Sequence, residues 1–161
     1  VLYIGAGSEV ELKEKKDRVD DALQATKAAM EEGVVAGGGI ALWNTIGKVT
    51  ELEDSILDNA EKVGVSVIRE ALSSPFNQIL SNAGFDVSKI TEGLVDGKGF
   101  NAKTGQFVDM FEAGIIDPKK VTRTAIQNAS SVVGMILTTE CMVVDKVEKE
   151  PKPAQKQMMM G

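Results

Sequence analysis

Leu12, Val19, Leu23, Thr26 and Met30 recur at spacings of three, four or seven residues, with Lys and Glu on the opposite side. That period predicts an α-helix with one apolar stripe. Ser8 and Glu11 form a capping box that fixes its start, and Gly33 stops it. Ahead of it, Val1 to Ile4 is a short apolar run that reads as a brief strand leading through Gly5-Ala6-Gly7. Past a glycine triplet, Ile40-Ala41-Leu42-Trp43 and Ile46 predict a second, shorter helix broken near Gly47. A broad apolar face built from Ile56, Ala60, Val63, Val67 and Ala71 predicts a third, from Glu53 to Leu72. Ser74-Pro75 then predicts a reset, with Ser74 as N-cap and Pro75 at the first helical position of a segment that buries Phe76, Ile79, Leu80 and Ala83 and ends at Gly84. Asp86 is expected to cap a short helix through Ile90 and Leu94.

Between Gly97 and Val108 the helical period disappears, and the chain reads as a hairpin turning at Lys103 to Gly105. Asp109 to Ala113 predicts a helical turn or two closed by Gly114. Asp117-Pro118 is expected to open the final long helix, Asp at the N-cap and Pro at the first position, with Val121, Ala125, Ala129, Val132 and Ile136 as its core stripe. Met142-Val143-Val144 reads as a strand, and the charged, proline-bearing, Met-rich tail from Lys146 as disordered. The fold class is mainly α, with a short β-hairpin and terminal strands.

Composition then removes chemistry. With 161 residues and 43% hydrophobic content, the chain suffices for one real core. A net charge of −6 argues against a nucleic-acid partner, which needs clustered Lys and Arg. Lys13 to Lys16 is interleaved with glutamates and reads as a solvated helix face. Histidine is absent, which excludes a Ser-His-Asp triad, a Cys-His pair and imidazole-ligated zinc. The single Cys141, in an apolar run, is expected to be a buried reduced thiol, which fits a reducing compartment. No segment has the length or apolarity of a membrane span or a signal sequence. The chain opens at Val1 without a methionine, which reads as a cut end.

Carboxylates, Lys and hydroxyls remain as candidate chemistry. Gly5-Ala6-Gly7-Ser8-Glu9-Val10 lacks the third glycine of the dinucleotide fingerprint and no strand-helix-strand unit follows, so it reads as a loop before a capped helix. Asp20 and Asp21 lie away from the centre of the predicted stripe, so either is free to face a cleft, and periodicity does not choose between them. An acid pair can hold magnesium or take a proton from attacking water, and Gly37-Gly38-Gly39 lets a phosphate or another backbone approach the main chain. The alternatives are a solvent-facing acid pair and a flexible helix connection. Asp117 reads first as a plain N-cap that can also offer an oxygen to a ligand hydroxyl.

The ordered runs Val10 to Lys16, Arg18-Val19-Asp20-Asp21-Ala22-Leu23, Glu31 to Gly39, Gly99-Phe100-Asn101-Ala102, Gly114 to Arg123 and Thr138-Thr139-Glu140-Cys141-Met142-Val143 together closely resemble the bacterial and organellar group I chaperonins, the GroEL family. The resemblance covers nearly all of this chain but only the carboxyl-terminal part of such a subunit. It implies an intermediate-domain segment over residues 1–36, the C-terminal half of a helical equatorial ATP-binding domain over 37–145, and a disordered tail over 146–161. It implies an ATPase of two stacked seven-membered rings of identical subunits, with a co-chaperonin lid and non-native client proteins, in the bacterial cytoplasm or an organellar matrix.

By the same matching Asp21 is the catalytic acid that swings over the nucleotide, and Asp20 a neighbour. Gly38 would lie against the nucleotide, Asn101 and Ala102 against adenine with Ile115 beside them, and Asp117 on the ribose hydroxyls. ATP and Mg2+ are the implied cofactors, the metal held mainly by a half of the domain that this chain lacks, as it also lacks the apical domain. The segment from Val95 to Phe100 is shorter than the family's, and the tail lacks the repeated Gly-Gly-Met run. Taken alone, the chain also reads as a non-catalytic helical interaction module that associates through exposed apolar faces.

Overall fold

The computed structural model describes residues 1–95 and 97–145. In chain order these form α1 (Glu9–Glu32), β1 (Val34–Ala36), α2 (Ile40–Trp43), α3 (Ile46–Ser55), α4 (Asn59–Asn82), α5 (Val87–Glu92), β2 (Gly99–Asn101), β3 (Gln106–Val108), β4 (Ile116–Pro118) and α6 (Lys119–Leu137). The fold is mainly helical with a few short strands, as its periodicity predicts.

Local chemistry sets most boundaries. Ser8 Oγ accepts from Glu11 N at 3.2 Å while the Glu11 carboxylate accepts from Gly7 N at 3.1 Å, so the predicted cap forms with its return bond shifted one residue upstream. Asp58 caps α4 by accepting from Ala60 N and Glu61 N, and Asp86 caps α5 by accepting from Ser88 N. The two sheets are antiparallel pairs. β1 faces β4 in the register Val34 to Pro118, Val35 to Asp117 and Ala36 to Ile116, and β2 faces β3 as the predicted hairpin.

The core is small and sits between α2, α4 and the hairpin. Ile40, Leu72, Phe76, Leu80, Phe100 and Met110 are buried. Trp43 meets Phe76 edge to face at 5.4 Å between ring centroids, and Phe100 lies edge to face between Phe85 and Phe107 at 4.9 and 5.3 Å. Arg69 Nε lies 2.8 Å from Glu53 Oε2, an ion pair tying α4 to α3 without the alignment of a hydrogen bond.

Several expectations are corrected. The third and fourth helices are not divided at Ser74-Pro75; the break falls at Ile56 to Asp58, and α4 runs through Pro75. Leu72, Phe76 and Leu80 form one buried row four residues apart, and Ala71 and Pro75 are both on the exposed side, so the carbonyl that Pro75 cannot satisfy is open to water. Asp109 to Ala113 is a turn rather than a helix, because the Asp109 carboxylate accepts from Phe111 N and Glu112 N and caps a loop. Asp117 is not an N-cap: its residue pairs in β4, and Pro118 precedes the first turn of α6.

The stripes of the two long terminal helices are not buried. α1 and α6 hold no buried residue, and Val19, Leu23, Val121, Val132 and Ile136 are exposed, because these helices pack chiefly on each other and on β4. Val1 to Ile4 and Met142 to Val144 form no strand, since among the described residues nothing pairs with either. Cys141 is exposed rather than buried. The expected disordered tail lies outside the described residues. Among the described residues no helix is long and apolar enough to cross a membrane.

One close approach holds the core together. Gly39 has φ +82°, and a Cβ placed on it would lie 2.6 Å from Phe76 N. Gly39→Ala is therefore expected to lower unfolding stability by about 2–4 kcal/mol, combining a left-handed residue with an overlap against helix backbone. Gly47→Ala, in α3 with open space around it, is expected to stabilise by about 0.5–1 kcal/mol, both changes being read by denaturant titration. Equal effects of the two changes would contradict this packing.

Candidate functional site

The β1–β4 pair, the loops beside it and the hairpin carry all the sequence-predicted site residues but Asp21. Gly37 N donates to Ile115 O at 2.9 Å, and a Cβ at Gly37 would lie 3.0 Å from that oxygen, so the glycine triplet runs tight against β4's lead-in. Gly38, between β1 and α2, has φ +65°, a left-handed conformation that favours glycine. Its would-be Cβ lies 3.3 Å from Met110 Cε. Ile115 N donates to Met110 O at 2.8 Å. Gly99, two residues ahead of Asn101 on β2, packs on Met110 so closely that a Cβ would come within 2.5 Å of its Sδ. Gly38 and Gly99, which opens the strand that ends at Asn101, thus pack on one buried side chain, and Ile115 is tied to the main chain of the same residue.

Asn101 shapes its own turn. Its Oδ1 accepts from Lys103 N at 3.0 Å and Thr104 N at 3.3 Å, and its carbonyl accepts from Gly105 N at 2.8 Å. That leaves the amide nitrogen unspent among the described contacts and holds Ala102 at the start of the turn. Asp117, opposite Val35, is half-buried, and among the described residues its carboxylate has no hydrogen-bond or ion-pair partner. A buried-side carboxylate with free lone pairs is an acceptor for hydroxyl donors.

Asp21 is elsewhere. It lies on exposed α1, twelve residues before Gly33, about 18 Å along the helix at 1.5 Å per residue. It lines a groove of about 680 Å³ with Gln24, Ala28, Lys120 and Thr124 between α1 and α6. Asp20 does not line that groove, so the structure separates two acids that periodicity left equivalent. Among the described residues, no three His, Cys, Asp or Glu side chains gather into a cation site.

Sequence reasoning missed the clasp that attaches α1. The Glu32 carboxylate accepts from Arg123 Nε at 3.0 Å and Nη2 at 2.7 Å, and Glu31 pairs with Lys120. Acids at the C-terminus of α1 and bases at the N-terminus of α6 each oppose their own helix dipole, and side by side each offsets the other. The charges were visible in the sequence, but their separation by about ninety residues was not bridged there. Met110 was missed too, because an apolar residue in an assumed helical turn carries no signal of what it supports.

The sequence matches the TCP-1/cpn60 chaperonin family over residues 1–147, and the chain belongs to that family. It is similar to a group III chaperonin whose crystal structure was solved in the open state, with 29% sequence identity and a TM-score of 0.74 over 87% of this chain. The match spans 30% of that chaperonin's chain.

The clasp predicts a pH response. The hydrogen bonds from Arg123 hold the Glu32 carboxyl below its ordinary value of 4.5, with Lys119 and Lys120 adding to the effect. A depressed carboxyl pKa stabilises the folded attachment above the ordinary value, and this contribution is lost as pH falls below it. Amide protection at residues 33–36, taken relative to the intrinsic exchange rate at each pH, is expected to fall below about pH 4.5 in the native chain. Arg123→Gln is expected to abolish that pH step; an identical profile in both would contradict the clasp.

Proposed function

We propose that this member of the chaperonin family is part of a group I, bacterial or organellar chaperonin subunit, and that residues 37–145 contribute one face of its ATP site. Residues 1–36 then form the intermediate-domain limb that carries Asp21. The convergence of Gly38, Ile115 and the Asn101-bearing strand on Met110, with an unpaired Asp117 two residues along β4, supports this reading most directly.

The residues present fit a nucleotide. Gly38 offers main chain with no side chain in the way, the Asn101 amide nitrogen is a spare donor for a base, Ala102 and Ile115 offer apolar contact, and Asp117 accepts from ribose hydroxyls. ATP bound with magnesium supplies the phosphoanhydride to be cleaved. Asp21 is the group that accepts a proton from attacking water, after α1 moves about the β1 connection. In this reading the metal ligands come mainly from elsewhere in the subunit. Hydrolysis would drive a cycle in which stacked seven-membered rings, closed by a co-chaperonin lid, enclose non-native proteins in the bacterial cytoplasm or an organellar matrix.

A second reading applies to the chain by itself. A groove of about 310 Å³ between α4 and α6, lined by Val67, Leu72, Ile126 and Val133 among others, lies open beside exposed α6 residues Val132 and Ile136. Such surface favours a non-catalytic module that associates through apolar faces.

Asp21→Ala in rings carrying this chain is expected to slow ATP hydrolysis by about 10²–10⁴-fold while the nucleotide dissociation constant stays within about twofold. Parallel loss of binding and turnover, measured by calorimetry and phosphate release, would assign Asp21 to binding and refute its role as base. Hydrolysis by the purified chain alone that is sensitive to Asp21→Ala would overturn the non-catalytic reading.

A further inference from the structure

We infer that Met110 is the positioning residue for this nucleotide face, setting the distance between the Gly38 main chain and the strand that ends at Asn101 and leads into Ala102. The inference rests on the nucleotide-site reading above and adds to it a residue that touches no ligand. Met110 is 2% exposed. Its Sδ and Cγ lie where a Cβ on Gly99 would be, its Cε meets the Cβ position of Gly38, and its carbonyl accepts from Ile115 N.

The side chain therefore reaches two separate chain segments, and its main-chain bond to Ile115 closes its own loop toward a third proposed nucleotide contact. The loop between β3 and β4 that carries Met110 is itself fixed by the Asp109 carboxylate on Phe111 N and Glu112 N. The side chain enters the core from a tethered base. Both glycines facing it lack a Cβ because Met110 occupies that space; a Cβ on Gly99 would overlap the thioether and one on Gly38 would press its methyl. An unbranched thioether fills such an irregular gap where a branched side chain leaves one wall unsupported. Removing the terminal methyl frees Gly38 to drift toward the core, away from the ligand, and a misplacement of that kind weakens binding without touching the reacting group.

The test uses rings carrying this chain, with MgADP affinity by calorimetry, kcat and KM for ATP, and melting temperature for Met110→Leu, Gly38→Ala, the double variant and Asp117→Asn. Met110→Leu conserves volume and keeps the core filled, but it lacks the Cε that meets Gly38. It is expected to raise KM and the MgADP dissociation constant by about tenfold, with kcat at saturation within about twofold and the melting temperature nearly unchanged. In the Leu background Gly38→Ala is expected to cost less affinity than in the Met background, because the methyl that its Cβ would press is gone. If Asp117→Asn weakens binding while Met110→Leu leaves KM and affinity unchanged, or if the two changes at 38 and 110 add independently, the positioning role is overturned and the site reading stands. If neither Asp117→Asn nor Gly38→Ala alters nucleotide affinity, the site reading itself falls.

Discussion

Three residue pairs between Val34–Ala36 and Ile116–Pro118 fix how this chain is arranged. They join segments about eighty residues apart, so their closure carries a large entropic cost relative to the few hydrogen bonds they form. A two-stranded pair alone is marginal in water. Here it is braced on one side by the Glu31–Lys120 and Glu32–Arg123 contacts and on the other by Gly37 bound to Ile115 O. Exposed ion pairs contribute little individually and weaken with salt. Their value lies in direction, since they hold the C-terminus of α1 against the N-terminus of α6 at the point where the chain passes into the core.

That arrangement divides the molecule by stiffness. Around Met110 the glycine loop and the hairpin pack on the buried rings of Phe76 and Phe100, Ile115 joins the same core ahead of β4, and positions there are set to within van der Waals contact. Beyond Gly33, α1 runs outward with an exposed apolar stripe and no buried residue. A ligand-binding face belongs on the first kind of surface, and a group that must travel belongs on the second. The proposed roles follow that division: Gly38, Asn101, Ala102, Ile115 and Asp117 are on the packed side, and Asp21 is on the exposed limb.

The sequence made the local chemistry legible and left the long-range pairing obscure. Ser8, Asp86 and the Lys103–Gly105 turn act on neighbours within a few residues, so their roles were readable from composition and spacing. Pro75 misled because local preference favours a helix start, whereas the buried row Leu72, Phe76 and Leu80 rewards an unbroken helix more than one missing hydrogen bond costs. Asp117 misled for a related reason: Asp-Pro is a cap signal locally, but pairing with Val35 claims the residue for a strand. The apolar stripes of α1 and α6 were real, yet periodicity cannot say whether a matching surface is supplied. Of the site, the acids and glycines were visible as residue types, while their grouping around Met110 depends on contacts no spacing rule encodes.

The central claim is that the nucleotide rests on the packed face while Asp21 remains on a separate limb until closure. Hydrogen-exchange mapping of rings carrying this chain, with and without MgADP, tests it most directly. Slowed exchange is expected at residues 37–39, 101–102 and 115–117, with little change across residues 18–24 in the product complex. Protection confined to the groove between α4 and α6, with none at the glycine loop or β4, would contradict it.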